Sequence, residues 1–209
     1  MGPDDLARLR ERSQRVIDEP EGLAFDPSTQ EPLQGQPPYE PALNSTLELV
    51  WIDWREAPFH AWTTRSLAAL AGREVQYWYN QLLFKPPRVG ATTHWHQDDA
   101  YMGTGTTDLL LSCWLAIDDV DADMGCMEFF DRGHRDGIVP DLLPSDSSYG
   151  REDWDVDPAR IVRCPLRAGG VTFHHGKTPH RTGGNTSDRW RKVAIQRFTI
   201  AGVERPTGH

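Results

Sequence analysis

The sequence predicts a mainly β fold of the α+β type: a cupin-like jelly roll with N-terminal helices packed on one sheet. Helical periodicity is confined to the stretch before Gly72, and from Val75 onward the chain reads as strands separated by turns. The composition agrees, since 18 glycines, 16 prolines and 8 tryptophans in 209 residues suit a loop-rich β protein better than a helical bundle. Helices first and strands afterwards suggest two helices backing an antiparallel, double-layered barrel.

The elements follow in order. Asp4 or Asp5 can cap a first helix whose apolar positions, Leu6, Leu9, Val16 and Ile17, share one face. Residues 20–41 are rich in Pro, Gly and Gln and read as a long irregular connection. A second helix is expected from Thr63 or Thr64 through Leu67 and Leu70, stopped by Gly72. The aromatic run from Val75 to Phe84 is extended, and Lys85-Pro86-Pro87 ends it. Next come the segment around His96, the apolar run Asp108 to Ile117, a turn at Asp123-Met124-Gly125 and a short strand from Cys126 to Phe130. Residues 140–158 are polar, acidic and loop-like. Ala168-Gly169-Gly170 turns into a strand from Val171 to His175 that leads to His180, and the last strand runs from Arg191 to Ile200. The length suits one domain over residues 1–209, with a helical N-terminal region over residues 1–72 and a β core over residues 75–200.

Charge and composition narrow the function. A net charge of −9 argues against a nucleic-acid partner, which requires a basic face. No apolar run reaches membrane-span length and the N-terminus lacks the basic start of a signal peptide, so a cytoplasmic, membrane-free protein is expected, with a monomer favoured. Cys113, Cys126 and Cys164 lack C-x-x-C spacing and read as reduced thiols rather than a disulfide or zinc framework. Asn185 lies in an N-x-S/T sequon that carries no weight without a secretory route.

The chemistry is concentrated in His96-Gln97-Asp98, the distant His180 and Arg191. A His-x-Asp pair and a remote His are the ligand set that holds non-haem Fe(II) on one face of an octahedron and leaves the other open. In an extended strand His96 and Asp98 point to one face while Gln97 points away. The open face accommodates 2-oxoglutarate as a chelating cosubstrate together with O₂. Arg191 just past the distal His can grip the far carboxylate with a planar fork that lysine does not reproduce. A lone His-x-Asp is a weak signal. With the distal His, the arginine and strand-like flanks it becomes specific.

The blocks Phe84-Lys85-Pro86-Pro87, His94-Trp95-His96-Gln97-Asp98, Cys113 to Asp119, Met124-Gly125-Cys126-Met127, and His180-Arg181-Thr182 through Asn185 to Arg191-Lys192 occur in an order that resembles the phytanoyl-CoA dioxygenase-like family of Fe(II)/2-oxoglutarate oxygenases. The resemblance spans Tyr77 to Thr199. It implies a double-stranded β-helix, metal ligation by His96, Asp98 and His180, and Arg191 on the distal carboxylate of 2-oxoglutarate. It also implies that Gln81, Trp114 and Thr182 line the cosubstrate pocket. Asp131-Arg132-Gly133-His134 departs from the family's Pro-Gly-Ser-His turn, and the strand that usually precedes the first helix is not evident. With Asp98 present, the metal lacks the open position that related halogenases create with Gly or Ala.

Competing assignments come from neighbouring residues. His94 shares a strand face with His96, so a cupin-type metalloenzyme using His94, His96 and His180 is an alternative, as is a non-catalytic jelly-roll binding module. His174 and His175 read as core or supporting residues, and Arg189 shares strand parity with Arg191. Asp99 and Gln97 read as solvent-facing. The expected reaction is hydroxylation of an unactivated C–H bond of a small molecule, with release of succinate and CO₂. The acidic stretch Asp146, Glu152, Asp153, Asp155 and Asp157 lies between the ligand segments and disfavours an acyl-CoA substrate.

Overall fold

A computed structural model describes residues 3–18, 47–50, 58–101, 110–142 and 150–200. The irregular connection expected at 20–41 and the start of the apolar run at Asp108 lie outside the described residues. Helix α1 (Pro3–Asp18) begins with Asp4 and Asp5 near its positive N-terminal end, where acidic side chains are favourable. It turns Leu9 and Ser13 inward, and Arg10 Nε donates to Asp118 Oδ1 at 2.8 Å and to the Ile117 carbonyl at 3.2 Å, tying the helix to the sheet beneath.

Strand β1 (Leu47–Val50), which no local signal predicts, precedes helix α2 (Pro58–Ala71). Helix α2 starts earlier than expected and stops where expected. Gly72 adopts φ 65°, and Arg73 N–H bonds back to the Ala68 carbonyl at 3.3 Å, the pattern of a Schellman C-cap.

The strands β2 (Val75–Lys85), β3 (Thr93–His96), β4 (Leu111–Ala116), β5 (Met127–Phe130), β6 (Ile161–Cys164), β7 (Val171–His175), β8 (His180–Thr182) and β9 (Arg191–Ile200) form two antiparallel sheets. The five-stranded sheet has the order β1-β2-β9-β4-β7, and the four-stranded sheet the order β3-β8-β5-β6. This non-sequential order is that of a jelly roll. From sequence, a strand from Val171 to His175 leads to the distal His180, and β7 has these bounds. A turn in which Thr178 N–H bonds the His175 carbonyl then moves the chain from the larger sheet to the smaller one. Strand β6 escapes prediction because it is short and two of its four residues are exposed, so it carries little hydrophobic signal.

Alternation along the strands sorts side chains to the two faces of the larger sheet. Leu82, Phe84, Cys113, Leu115, Ile117, Ala194 and Phe198 face the helices and pack with Leu9, Phe59 and Leu67. Trp114, Ala116, Val193 and Ile195 face the smaller sheet and pack with Val120, Met124, Cys126 and Met127. Each of the larger side chains contributes roughly 1.5–3 kcal/mol on full burial. The thiols are free, and burial pushes Cys113 up to about 12, consistent with a structural thiol.

One buried amide holds the β8–β9 connection. Asn185 Nδ2 donates toward the carbonyls of Lys85 (3.0 Å), Pro86 (3.1 Å) and Arg189 (2.7 Å), while its Oδ1 accepts from the N–H and hydroxyl of Ser187. Asn185 is 1% exposed, so it acts here as an internal brace. Replacing it with Ala strips buried carbonyls of their donor. Asn185→Ala is expected to lower unfolding free energy by about 2–4 kcal/mol, measured by chemical denaturation, and a loss within experimental error would show that the connection is held elsewhere.

Candidate metal centre

His96, Asp98 and His180 lie between the sheets with one potential ligand atom from each within 4.8 Å of the others, all three buried. His96 closes β3 and His180 opens β8, and these strands pair in the smaller sheet with His96 opposite His180. The expectation of one continuous strand carrying both His96 and Asp98 does not hold. Strand β3 ends at His96, and Asp98 begins a single helical turn, α3 (Asp98–Tyr101).

Gln97 explains the break. Its amide nitrogen donates to the carbonyls of Gly137 (2.8 Å) and Lys177 (2.6 Å), and its oxygen accepts from Val139 N–H (2.8 Å). Gln97 is therefore fully buried and latches the ligand segment onto two loops, contrary to the solvent-facing expectation. Asp99, also expected in solvent, is 2% exposed.

The histidine tautomers follow from their neighbours. His96 Nδ1 is 2.8 Å from the His94 carbonyl and His180 Nδ1 is 2.9 Å from the Thr178 carbonyl. A carbonyl only accepts, so each Nδ1 carries the proton and each Nε2 presents a lone pair. Both Nε2 atoms face Asp98 Oδ1, at 3.7 Å from His96 and 3.8 Å from His180. Burial lowers the affinity of both rings for a second proton, which keeps them neutral as ligands must be.

Asp98 is supported mainly through its other oxygen, with Arg197 reaching both. Ser112 Oγ donates to Oδ2 at 2.8 Å, His174 Nε2 lies 3.4 Å from it, and the Arg197 guanidinium spans both oxygens at 3.2–3.5 Å. Burial alone would push Asp98 upward. Arg197 and the neighbouring histidines outweigh it and hold the carboxyl well below its usual range. Two neutral imidazoles and a carboxylate oriented by backbone, Ser and Arg form a donor set suited to a borderline divalent cation.

The other polar residues fall into two groups. Arg197 Nη1 donates to Gln81 Oε1 at 2.8 Å, which joins Gln81 to the Asp98 end. Arg191, Trp114 and Thr182 gather at the opposite end. Arg191 has no exposed surface, donates through Nη1 to the Gly125 carbonyl at 3.0 Å, and sits 5.7 Å from the Trp114 ring centre. Its Nε and Nη2 have no partner among the described residues. Buried donors without acceptors are costly, and this pair forms one edge of the guanidinium fork that matches a carboxylate. Thr182 lies two residues past His180 on the same inward face, so the two ends are separated by roughly 7 Å of strand.

Other candidates resolve differently. His94 contributes its carbonyl to His96 and is not among the clustered ligands of the described residues. Arg189 is half-exposed on the surface beside Asp121, at 3.6 Å. His174 faces the site and its Nδ1 lacks a partner among the described residues, while His175 points outward toward His134. A groove of about 470 Å³ between α2 and β7, lined by Leu67, Leu70, Leu111 and Phe173 among others, touches this region only through His174. Sequence reasoning alone misses Ser112, Arg197 and Lys85. Strand parity with Trp114, Arg191 and Gln81 is the available signal for them.

Comparison with known proteins adds to this geometry. The family model described as phytanoyl-CoA dioxygenase (PhyH) matches residues 3–193. Phytanoyl-CoA dioxygenase domain-containing protein 1 of Danio rerio is 32% identical over 118 residues, covering 53% of this chain and 40% of that protein. The Mus musculus protein of the same name is 32% identical over 117 residues with the same coverage, so the match spans well under half of these relatives. Among solved structures, EvdO2 from Micromonospora carbonacea var. aurantiaca superposes with a TM-score of 0.75 at 26% identity, covering 98% of this chain and 84% of that one. The same protein complexed with 2-oxoglutarate gives 0.72 at 27% identity, with the same coverage. The epimerase SnoN, in complex with Fe3+, alpha ketoglutarate and nogalamycin RO, shares the fold at TM-score 0.70 and 23% identity, covering 100% of this chain and 80% of that one.

The Asp98–Arg197 contact generates a test. Removing Arg197 leaves a buried carboxylate without its cation, which costs roughly 3–5 kcal/mol in comparable buried pairs. Arg197→Met should melt earlier than the parent without added metal, and a divalent cation such as Mn(II) should raise its melting temperature more than that of the parent. Equal metal-induced shifts would show that Arg197 does not carry the charge of Asp98.

Proposed function

The chain belongs to the phytanoyl-CoA dioxygenase family, and from that premise we propose that it is a non-haem Fe(II)- and 2-oxoglutarate-dependent oxygenase that hydroxylates an unactivated C–H bond of a small molecule. The observation that carries the reading is the pairing of a His96/Asp98/His180 donor set with a buried arginine fork at the other end of the same interior. A metal-binding module needs only the first, and a carboxylate-binding module only the second. One oxoacid with a distal carboxylate requires both.

When bound, the iron and its oxoacid supply the oxidation, in which O₂, 2-oxoglutarate and substrate give succinate, CO₂ and hydroxylated product. The chain's own residues do the rest. His96 and His180 offer Nε2 lone pairs because the His94 and Thr178 carbonyls hold their Nδ1 protons. Asp98 offers Oδ1 because Ser112 engages Oδ2. Arg191 receives the distal carboxylate on its Nε/Nη2 edge, and Thr182 contributes its hydroxyl. Trp114, Val193, Ile195 and Met127 exclude water, which strengthens these interactions.

The substrate is read as neutral or cationic rather than as an acyl-CoA. The acidic residues Glu152, Asp153, Asp155 and Asp157 follow Arg151, whose backbone pairs with Trp95 beside His96. Acidic groups at that edge repel the phosphates of CoA within the screening distance of about 8 Å at physiological salt.

His96→Ala and His180→Ala are expected to lose most bound iron, because too few donors remain to hold a labile ion. Arg191→Ala should retain iron and weaken 2-oxoglutarate binding about tenfold to hundredfold. Stoichiometric iron in both histidine variants, or an unchanged oxoacid affinity in Arg191→Ala, would contradict these roles. Screening amino-acid derivatives, natural-product intermediates and long-chain acyl-CoAs for succinate release tests the reaction itself. The expected product carries one added oxygen. An isomeric product of unchanged mass would replace hydroxylation, and turnover of an acyl-CoA would overturn the substrate preference.

A further inference from the structure

Lys85 and Arg191 are register partners across β2 and β9, so their side chains enter the interior side by side, and neither has any exposed surface. Like charges directly opposite one another on antiparallel strands repel, and burial removes the water that would screen them. Among the described residues no carboxylate pairs with either. The titratable group facing Arg191 from the segment before β5 is the Cys126 thiol, which burial pushes up and so keeps uncharged.

Lys85 Nζ lies 2.8 Å from Thr182 Oγ1, 2.8 Å from the Gly183 carbonyl and 3.4 Å from the Thr182 carbonyl. A neutral amine donates to two of these acceptors, and the third is placed for the additional proton of an ammonium. Because Thr182 Oγ1 accepts from Lys85, its own hydrogen remains to be donated elsewhere. The two basic side chains also grip adjoining pieces of backbone. Arg191 holds the Gly125 carbonyl and Lys85 the Gly183 carbonyl, and a side chain on Gly125 would collide with the Gly183 oxygen.

We propose that Lys85 is a positioning residue forming the second half of the carboxylate site: it fixes the Thr182 hydroxyl as a donor and supplies a second positive charge when the distal carboxylate is bound. This rests on the 2-oxoglutarate reading above. Two juxtaposed buried cations with no internal counter-charge are tolerable when an anion joins them, and Arg191 keeps an unpartnered edge on which to receive one.

The linkage has a definite sign. Without ligand, burial and then Arg191 push Lys85 down to about 5, so at neutral pH it is uncharged. A carboxylate on Arg191 offsets that repulsion and raises the lysine again, so binding takes up a proton. Affinity is then flat below about pH 5 and falls by up to roughly tenfold per pH unit above it, until the liganded lysine itself deprotonates. The groups facing Lys85 are Arg191 from β9, Thr182 from β8 and Gly183 just after it. Thr182 and Gly183 carry no charge, and Arg191, lowered by burial to about 9, stays protonated between about pH 6 and about pH 8.

Calorimetric titration of 2-oxoglutarate into the Mn(II)-loaded full chain, near neutral pH in PIPES, HEPES and Tris, reads the proton directly from the differing buffer ionisation enthalpies. The expected result is close to one proton taken up per oxoacid, with affinity falling nearly tenfold per unit between about pH 6 and about pH 8. Pyruvate, which lacks the distal carboxylate, should bind without uptake. Lys85→Met should abolish the uptake and weaken binding on the order of tenfold or more, whereas Thr182→Val should weaken binding and keep the uptake. Binding of 2-oxoglutarate to the parent protein without proton uptake overturns the proposal and leaves the functional reading intact, with no variant required. Failure of the parent to bind 2-oxoglutarate at all removes both.

Discussion

Strand β9 lies between β2 and β4, and its alternation decides which charges enter the space between the sheets. Arg191, Val193, Ile195 and Arg197 face inward, while Ala194 and Phe198 face the helices. Two buried guanidinium groups on one strand are costly unless each meets a negative partner. Arg197 meets Asp98 within the chain. Arg191 donates to one backbone carbonyl, and its Nε and Nη2 have no partner among the described residues. A slip of one residue in the pairing of β9 would exchange these faces, placing Ala194 and Phe198 among the polar groups and both arginines against the helices.

The two sheets divide the chemistry. The smaller sheet contributes His96, His180 and Thr182, uncharged groups that donate lone pairs or a hydroxyl. The larger sheet contributes the basic groups Lys85, Arg191 and Arg197, together with Ser112 as a neutral brace. Packing between the sheets fixes the distance between the two sets, so Trp114, Val193, Ile195 and Met127 help set the space between them. Glycines permit the close approach at the Arg191 end, where Gly125 at φ 75° lies against Gly183.

Much of this is legible in the sequence, and the limits have physical causes. The stop of α2 at Gly72, the extent of β2 and the whole of β9 follow from local signals: a glycine after the helix, a proline pair after the strand, and a stretch carrying the β-formers Val193, Ile195, Phe198, Thr199 and Ile200. The triad can be read because histidines are few, 8 in the chain, and the offsets from them to Asp98 and Arg191 are narrow. The path between His96 and Asp98 cannot, because it depends on Gln97 reaching the Gly137 and Lys177 carbonyls, distant in sequence. The burial of Asp99 and the pairing of Lys85 with Arg191 are likewise tertiary facts, invisible until strand register is known. Strands β1 and β6, at the outer edges of their sheets, carry four residues each, too few for a periodic signal.

The central claim is that a single interior holds a metal through His96, Asp98 and His180 and, simultaneously, an oxoacid whose far end rests on Arg191. Anaerobic addition of Fe(II) and then 2-oxoglutarate to the purified chain, followed by visible absorption, tests it most directly. The expected result is a weak band that requires both components, saturates with the oxoacid and disappears in His96→Ala and His180→Ala. A featureless spectrum at saturating iron and oxoacid would contradict it.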